Sequence, residues 1–487
     1  MSDTTPYAVM LLAIGAVGLG ALLANRAGAA IRVPAPALVL VAAAIVVAVV
    51  PSVHRPAEQT VERLVTVALL AILFDGGGHI GLRRLRWAVA PIAMIGVAGT
   101  FLTVAGAAAF AHFGLRLDWY PSLLLATAIS PTDPAVVFAV LGRREIVGRS
   151  GTVLEGESGA NDPVGIALMA SLLAAGSISA SAFGQVVAEF ALQMSVGLVS
   201  GVILGRLLLW FMRRVALPSP ALYPLRTLAA VLIIYALTTL AHGSGFLAVF
   251  VAGILIGDEP APYKREIEQF QAALAGIGEI LAFTALGITI DLAVLARRDV
   301  WLPGLVLALV LALVVRPLCV GVCSFGFGIP RNERVFLLFA GLKGAVPILL
   351  GSLLFTAHIP AAERLYGLVI VVVIFSVVAQ GGLVPLVADR LRIPMREITA
   401  QPWSLGIRMS EDPEGSHRLR VAAGSDADGS EIGQLLARPE YVWVSLLVRD
   451  GRLVPVTAAT RLQAGDEVLL LADERDRQRW ERVFGTG

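Results

Sequence analysis

Long apolar runs separated by short charged loops fill the first four hundred residues. An apolar helix needs about 20 residues to cross the hydrocarbon core of a bilayer. The runs between loops predict thirteen spans: 7–24, 36–51, 60–79, 87–112, 119–141, 151–175, 183–211, 223–241, 245–257, 269–290, 300–325, 334–356 and 364–388. The leader of the first, Met1 to Tyr7, has no basic residue, and the run is long for a cleaved signal, so it reads as a span. Beyond residue 400 the period changes. VWVSLLV at 442–448 and EVLLLA at 467–472 read as strands, with RDG and QAGD as turns.

Charge divides the chain at the same place. Of its 487 residues 57% are hydrophobic and 15% charged, against about 25% charged in soluble protein. Residues 1–400 hold 27 Lys+Arg and 22 Asp+Glu, while residues 401–487 hold 11 and 14. The net charge of +2 therefore conceals a membrane domain followed by a slightly acidic soluble one. Neither part has the basic patch of a nucleic-acid binder. Basic residues also orient the spans. Alternate loops, together with the segment after the last span, hold 18 of them, and the opposite loops hold 6. That split predicts an outside N-terminus and a cytoplasmic tail. Trp87, Trp119, Trp210 and Trp301 fall at span ends, as interfacial anchors do. Cys319 and Cys323 lie four apart with no further ligand to complete a metal set, and read as small buried hydrophobes. The six histidines are scattered, and none is assigned a role.

Three spans carry chemistry. The fifth places Thr132 and Asp133 between Pro131 and Pro134, so its helix must break there. Irregular backbone at membrane depth is tolerated only where it is buried or lines a cavity, and its freed carbonyls can then ligate cations. The sixth carries Glu157, Ser158, Asn161 and Asp162, with Ser158 and Asp162 on one helix face and Glu157 and Asn161 on the next. Each mid-bilayer charge costs about 2.5–3.5 kcal/mol, so Asp133, Glu157 and Asp162 together cost roughly 8–10 kcal/mol, a burden that points to function. Glu155 lies nearer the loop and is left out of this set. The twelfth span sets Lys343 between Gly341 and Gly344, with Pro347 following. Only two of the 38 basic residues are lysines, and Glu279 in the tenth span is the expected partner of this one. If spans 1–6 and 8–13 are repeats, the interrupted fifth and twelfth are equivalent, and the linking seventh makes the second repeat inverted. Matching interrupted spans point to a midplane substrate site.

PTDP at 131–134, ESGANDP at 157–163 and GLKGAVPI at 341–348 resemble the NhaP type of the monovalent cation:proton antiporter family. ILFDGG at 72–77 and the tail look most like its potassium/proton, cell-volume-regulation branch. The resemblance implies an all-α polytopic membrane protein of about thirteen helices, with inverted repeats and crossed broken helices. A small α+β cytoplasmic domain would follow. It further implies a homodimer in the cell membrane, lipid around it, and exchange of potassium or sodium for protons without a cofactor. Asp162 would carry the ion or the proton, and Asn161 would organise the crossing. Thr132, Asp133, Glu157 and Ser158 would line the cation site. Lysine stands at 343 where family members usually have arginine.

The expected organisation is a transmembrane domain over 1–395, a linker over 396–416 and a regulatory domain over 417–487. The last resembles the C-terminal half of the domain regulating potassium channels and transporters (TrkA-C), with a small ligand or dimerisation as its input. No GxGxxG follows a strand there, so no dinucleotide-binding half is expected. Two other classes fit poorly. A potassium channel needs a TVGYG-like filter, and an intramembrane protease a GxGD-like site. Neither stretch occurs.

Overall fold

The computed structural model describes residues 15–21, 23, 34–49, 56–142, 144–177, 179–259, 261, 263–397, 416–435, 443–471 and 477–485. Most of the first expected span and nearly all of the expected linker lie outside the described residues. The chain divides into two units, Met1–Ile398 and Thr399–Gly487.

The first unit is helical. Among the described residues, six helices are long and apolar enough to cross a bilayer: Glu58–Phe113, Ser181–Arg214, Leu222–Leu240, Lys264–Thr289, Arg298–Cys323 and Ala362–Arg390. A seventh candidate is the bent pair Trp119–Ile129 and Pro134–Leu141, and Ala35–Val49, Gly245–Gly257 and Ala345–Thr356 are shorter apolar helices. Helix Arg149–Ala175 carries the acidic motif. Side chains start several of these helices. Ser179 and Ser244 accept hydrogen bonds from the N–H groups of Ala182 and Leu247 at 3.1 and 3.3 Å, satisfying donors that a helix N-terminus leaves free.

The third and fourth expected spans join in one long element, and its break is local. Gly81 has φ of 62°, open to glycine at little cost. The Asp258 carboxylate packs against it and accepts the Arg83 N–H at 2.5 Å, capping the helix that restarts there. Among the described residues, three short π-helical turns interrupt the long helices, at Met94–Ala98, Leu311–Val315 and Phe375–Gln380. Single π turns of this kind recur at functional sites. A two-stranded antiparallel pair, β1 (Arg144–Ile146) with β2 (Met395–Glu397), ties the end of this unit to the loop before helix Arg149–Ala175.

The second unit holds an antiparallel sheet of β3 (Ser416–Arg420), β4 (Trp443–Arg449), β5 (Arg452–Val454) and β6 (Glu467–Leu471), in the order β3-β6-β4-β5. The RDG turn joins β4 to β5 with positive φ at Asp450 and Gly451, the geometry that matches strand twist in a tight hairpin. Leu419, Leu447, Val468 and Leu470 form its core with Trp480 and Phe484 of helix Arg477–Phe484. Buried Asp466 receives Arg449 Nε and Nη2, both at 2.8 Å.

Candidate functional site: two broken helices around a buried carboxylate

The first break follows from its prolines. Helix Trp119–Ile129 stops, Ser130 to Asp133 are not helical, and Pro134 opens the next helix 41° away. Proline is favoured at a first helical position because it needs no donor there. Asp133 caps that helix by accepting the Ala135 N–H at 2.9 Å. The second break separates helix Arg331–Phe339 from Ala345–Thr356. The two meet backbone to backbone: the Asp133 N–H donates to the Leu342 carbonyl at 2.8 Å. Gly341 and Gly344 make the approach feasible. A Cβ on Gly344 would strike the Asp133 carboxylate, and one on Gly341 the Arg316 guanidinium.

Each break frees backbone groups that cannot stay unpaired in a membrane. Most of them find partners. At the first, Lys343 Nζ donates to the carbonyls of Ser130 and Pro131 at 2.8 and 3.0 Å. Ser158 Oγ donates to the Thr132 carbonyl at 2.6 Å. Asn161 takes Thr132 twice: its Oδ1 accepts the N–H at 3.3 Å, and its Nδ2 donates to Oγ1 at 2.7 Å. At the second, Arg316 Nε donates to the Leu338 carbonyl and Nη2 to that of Leu337, at 2.9 and 3.1 Å. Gln380 Nε2 donates to the Phe339 carbonyl at 2.6 Å, and Ser376 Oγ accepts the Lys343 N–H at 3.0 Å. Arg316 directly follows one π turn, and Ser376 and Gln380 belong to another.

Two expectations need correction. Lys343 does not pair with Glu279: its ammonium is spent on the two carbonyls, whose freed lone pairs compete for a nearby donor, while Glu279 Oε1 is buried with no hydrogen-bond partner. Glu157 does not offer free oxygens to a cation. Arg316 Nη1 and Nη2 donate to its Oε1 and Oε2 at 2.8 and 3.1 Å, a bidentate pair buried on both sides. Sequence reasoning missed Arg316, although a charged residue inside the 300–325 run was a legible signal. Ser376 and Gln380 carried the weaker signal of two polar residues one helical turn apart in an apolar span.

What remains is Asp162. It is 8% exposed, and its Oδ1 is buried without a hydrogen-bond partner. Asp133 and Lys343 are its charged neighbours. Thr132, Ser158 and Asn161 beside it are buried and already fixed to one another. Fully ionised, Asp133, Glu157 and Asp162 face Arg316 and Lys343, leaving one negative charge in excess. The site is therefore a rigid cage of oxygens around a carboxylate that lacks one positive partner. Among the described residues no cluster has the make-up of a multivalent-metal site.

The stability of the cage rests on Lys343. Lys343→Ala leaves two buried carbonyls without a donor, each costing about 1–3 kcal/mol. A clear fall in the thermal midpoint of the purified protein is expected, with most of it restored in Lys343→Arg. An unchanged midpoint in Lys343→Ala would remove this role.

A helical membrane protein whose broken helices cross beside a buried carboxylate is a secondary ion transporter rather than an enzyme. The chain belongs to the sodium/hydrogen exchanger family, whose transmembrane region matches residues 10–390. It is 34% identical over 330 residues to the K(+)/H(+) antiporter NhaP of Alkalimonas amylolytica, covering 67% of this chain and 57% of that one. Identity is 29% over 426 residues to the K(+)/H(+) antiporter NhaP2 of Shewanella oneidensis, covering 86% and 73%. The Na(+)/H(+) antiporter NhaP of Pseudomonas aeruginosa is 29% identical over 339 residues, covering 66% of this chain and 79% of that one. The chain thus spans less than two thirds of the Alkalimonas protein. Its fold resembles that of the sodium proton antiporter MjNhaP1 of Methanocaldococcus jannaschii, with a TM-score of 0.65 at 19% identity, over 78% of this chain and 99% of that one.

Proposed function

We propose that this protein exchanges a monovalent cation, potassium before sodium, for a proton, one for one, across the cell membrane. The single observation that carries the reading is Asp162 Oδ1, buried without a donor where the two broken helices cross. A carboxylate there takes a proton or a cation but not both, which is the requirement for coupled exchange. The excess of one negative charge supports electroneutral stoichiometry, since one proton or one monovalent ion neutralises the cage. Thr132, Ser158, Asp133 and Asp162 supply the cation's oxygens in this reading, Asn161 holds the crossing together, and Glu157 acts through Arg316. The potassium preference rests on the relatives called K(+)/H(+) antiporters.

The same reading takes thirteen crossings in two inverted repeats, an outside N-terminus, a cytoplasmic tail and a homodimer held in lipid. Residues 417–487 then form a TrkA-C-like regulatory domain answering to a small ligand or to dimerisation, after a transmembrane domain over 1–395 and a linker over 396–416. In proteoliposomes containing a pH-sensitive dye and an imposed proton gradient, added potassium should dissipate the gradient, sodium less effectively and lithium least. A response to none of the three would overturn the assignment. Current that tracks membrane voltage would overturn the stoichiometry.

A further inference from the structure

The chain leaves its last long helix in a strap. Helix Gly381–Arg390 ends in a left-handed turn at Arg392, with φ of 52°, and the Ile393 N–H donates back to the Ala388 carbonyl at 3.0 Å. Strand β2 then pairs with β1 in the register Arg144↔Glu397, Glu145↔Arg396 and Ile146↔Met395. The register runs on to Val147, whose N–H donates to the Pro394 carbonyl at 2.9 Å. Bonded and non-bonded pairs alternate along antiparallel strands, so Glu145 and Arg396 exchange backbone bonds while Arg144 and Glu397 form a non-bonded pair. Three side-chain contacts surround the strands. Arg144 Nη1 donates to Asp389 Oδ1 at 2.8 Å, Asn332 Nδ2 to the Leu391 carbonyl at 3.1 Å, and Ser150 Oγ to Glu333 Oε2. Ile146 and Ile393 are buried in the core of the first unit.

What the strap joins is the scaffold of the ion site. Strand β1 lies between helix Pro134–Leu141, which Asp133 caps, and helix Arg149–Ala175, which carries Asp162. A Cβ on Gly151, in the first turn of the latter, would lie 2.7 Å from the Ile146 carbonyl oxygen. Asn332 and Glu333 belong to the first turn of helix Arg331–Phe339, which leads into the second break. Strand β2 closes the stretch that starts at the Phe375–Gln380 π turn, where Ser376 and Gln380 hold that break. Helix Pro134–Leu141 has 8 residues, about 12 Å of rise, so a shift of β1 reaches Asp133 through one short element. At its other end β2 stops at Glu397, and the second unit begins at Thr399.

The pairing itself is weak. Two strands of three residues, with no third strand beside them among the described residues, are marginally stable alone. The exposed Arg144 and Asp389 pair adds little. Strand β2 can therefore be lifted at modest cost. Building on the antiport reading above, we propose that the β1–β2 strap is the positioning element through which the tail sets the affinity for the transported cation. Seated, it fixes helix Pro134–Leu141 against helix Arg149–Ala175 and keeps the Thr132 and Asp133 oxygens beside Asp162. Lifted, it frees the half-helix, spreads those oxygens and weakens potassium binding. An input to the tail acts as far as it favours one state of β2 over the other.

The test uses the full-length protein in proteoliposomes, in a Cys319→Ala, Cys323→Ala background. Arg396→Pro removes a backbone donor from β2 and should raise the apparent Michaelis constant for potassium about fivefold or more. Arg396→Ala keeps that N–H and should stay within about twofold of the parent. Arg144→Cys with Glu397→Cys places thiols on facing residues whose Cα atoms lie about 4.5 Å apart, within disulfide reach. Added to Arg396→Pro, the oxidised pair should restore the parent constant and reduction should raise it again, a reversal that a folding defect would not show. Asp466→Ala perturbs the tail by unpairing Arg449. In the two-cysteine protein it should move the constant when the strap is reduced and leave it within about twofold when oxidised.

A parent-like constant in Arg396→Pro would overturn the positioning role. An effect of Asp466→Ala that is equal in both redox states, or absent from both, would overturn the link to the tail. Should Arg396→Pro fail to fold, the Asp466→Ala comparison decides alone. In either case an active parent loses only the strap. A parent in which potassium drives no proton flux would bring down the antiport reading itself.

Discussion

Asp162→Asn is expected to abolish exchange, with residual flux at least a hundredfold below the parent and the protein still folded. Asparagine keeps the shape of the side chain, so helix Arg149–Ala175 and the Asn161 and Ser158 contacts to Thr132 should persist. What disappears is the one charge the cage leaves uncompensated. With it goes the only competition that couples the two ions, since neither proton nor cation then gains by binding. The thermal midpoint should hold or rise, because a buried carboxylate without a donor costs free energy that a neutral amide reduces. Cation-driven proton flux surviving in this variant would show that the carrier is another group.

The second large effect is expected at Glu157 and Arg316. Removing one partner of a buried ion pair costs about 3–5 kcal/mol, because the other charge is left unpaired. Arg316→Ala exceeds a simple pair loss, since the guanidinium also holds the Leu337 and Leu338 carbonyls freed by the second break. Arg316→Ala should therefore yield little folded protein, and Glu157→Gln should show a markedly lower thermal midpoint. The double variant Glu157→Gln with Arg316→Met should be less destabilised than the sum of Glu157→Gln and Arg316→Met made singly, since no uncompensated charge remains. Thermal unfolding of the four proteins measures the coupling. Additive losses would mean that the pair is incidental, and Glu157 would return to the list of cation ligands.

The sequence was most informative where a charge or a proline opposes an apolar run. The break at 130–133 could be placed from Pro131 and Pro134 alone, because a missing N–H and a ring clash interrupt a helix whatever surrounds it. The second break was indicated by Gly341, Gly344 and Pro347. Asp162 stood out because a lone carboxylate at that depth is expensive. Partner choice was not legible. Lys343 and Glu279 seemed matched by charge, but charge along a sequence does not reveal that two freed carbonyls lie nearer to the ammonium. Nor does it reveal that Arg316, more than 150 residues from Glu157, would close on both its oxygens. The π turn before Arg316 has no local signature in LALVV, since a one-residue register shift is decided by packing. The same holds for Gly81, where two spans run together and only Asp258, remote in sequence, shows why the joint is stable. In the tail, β4 and β6 were visible from their apolar alternation. The shorter β3 and β5 are defined largely by their neighbours.

The most direct test of the central claim, one carboxylate alternating between proton and cation, is the apparent potassium affinity of the parent protein as a function of pH. Competition at a single site makes the apparent Michaelis constant rise about tenfold for each unit that pH falls below the titration of Asp162, with the maximal rate unchanged. The sign is fixed, because each added proton occupies the carboxylate that the cation needs, so affinity weakens toward acid. Measured by dye response in proteoliposomes at clamped voltage, a set of pH-dependent constants converging on one maximal rate is the predicted result. A Michaelis constant independent of pH, with acid lowering only the maximal rate, would contradict the claim.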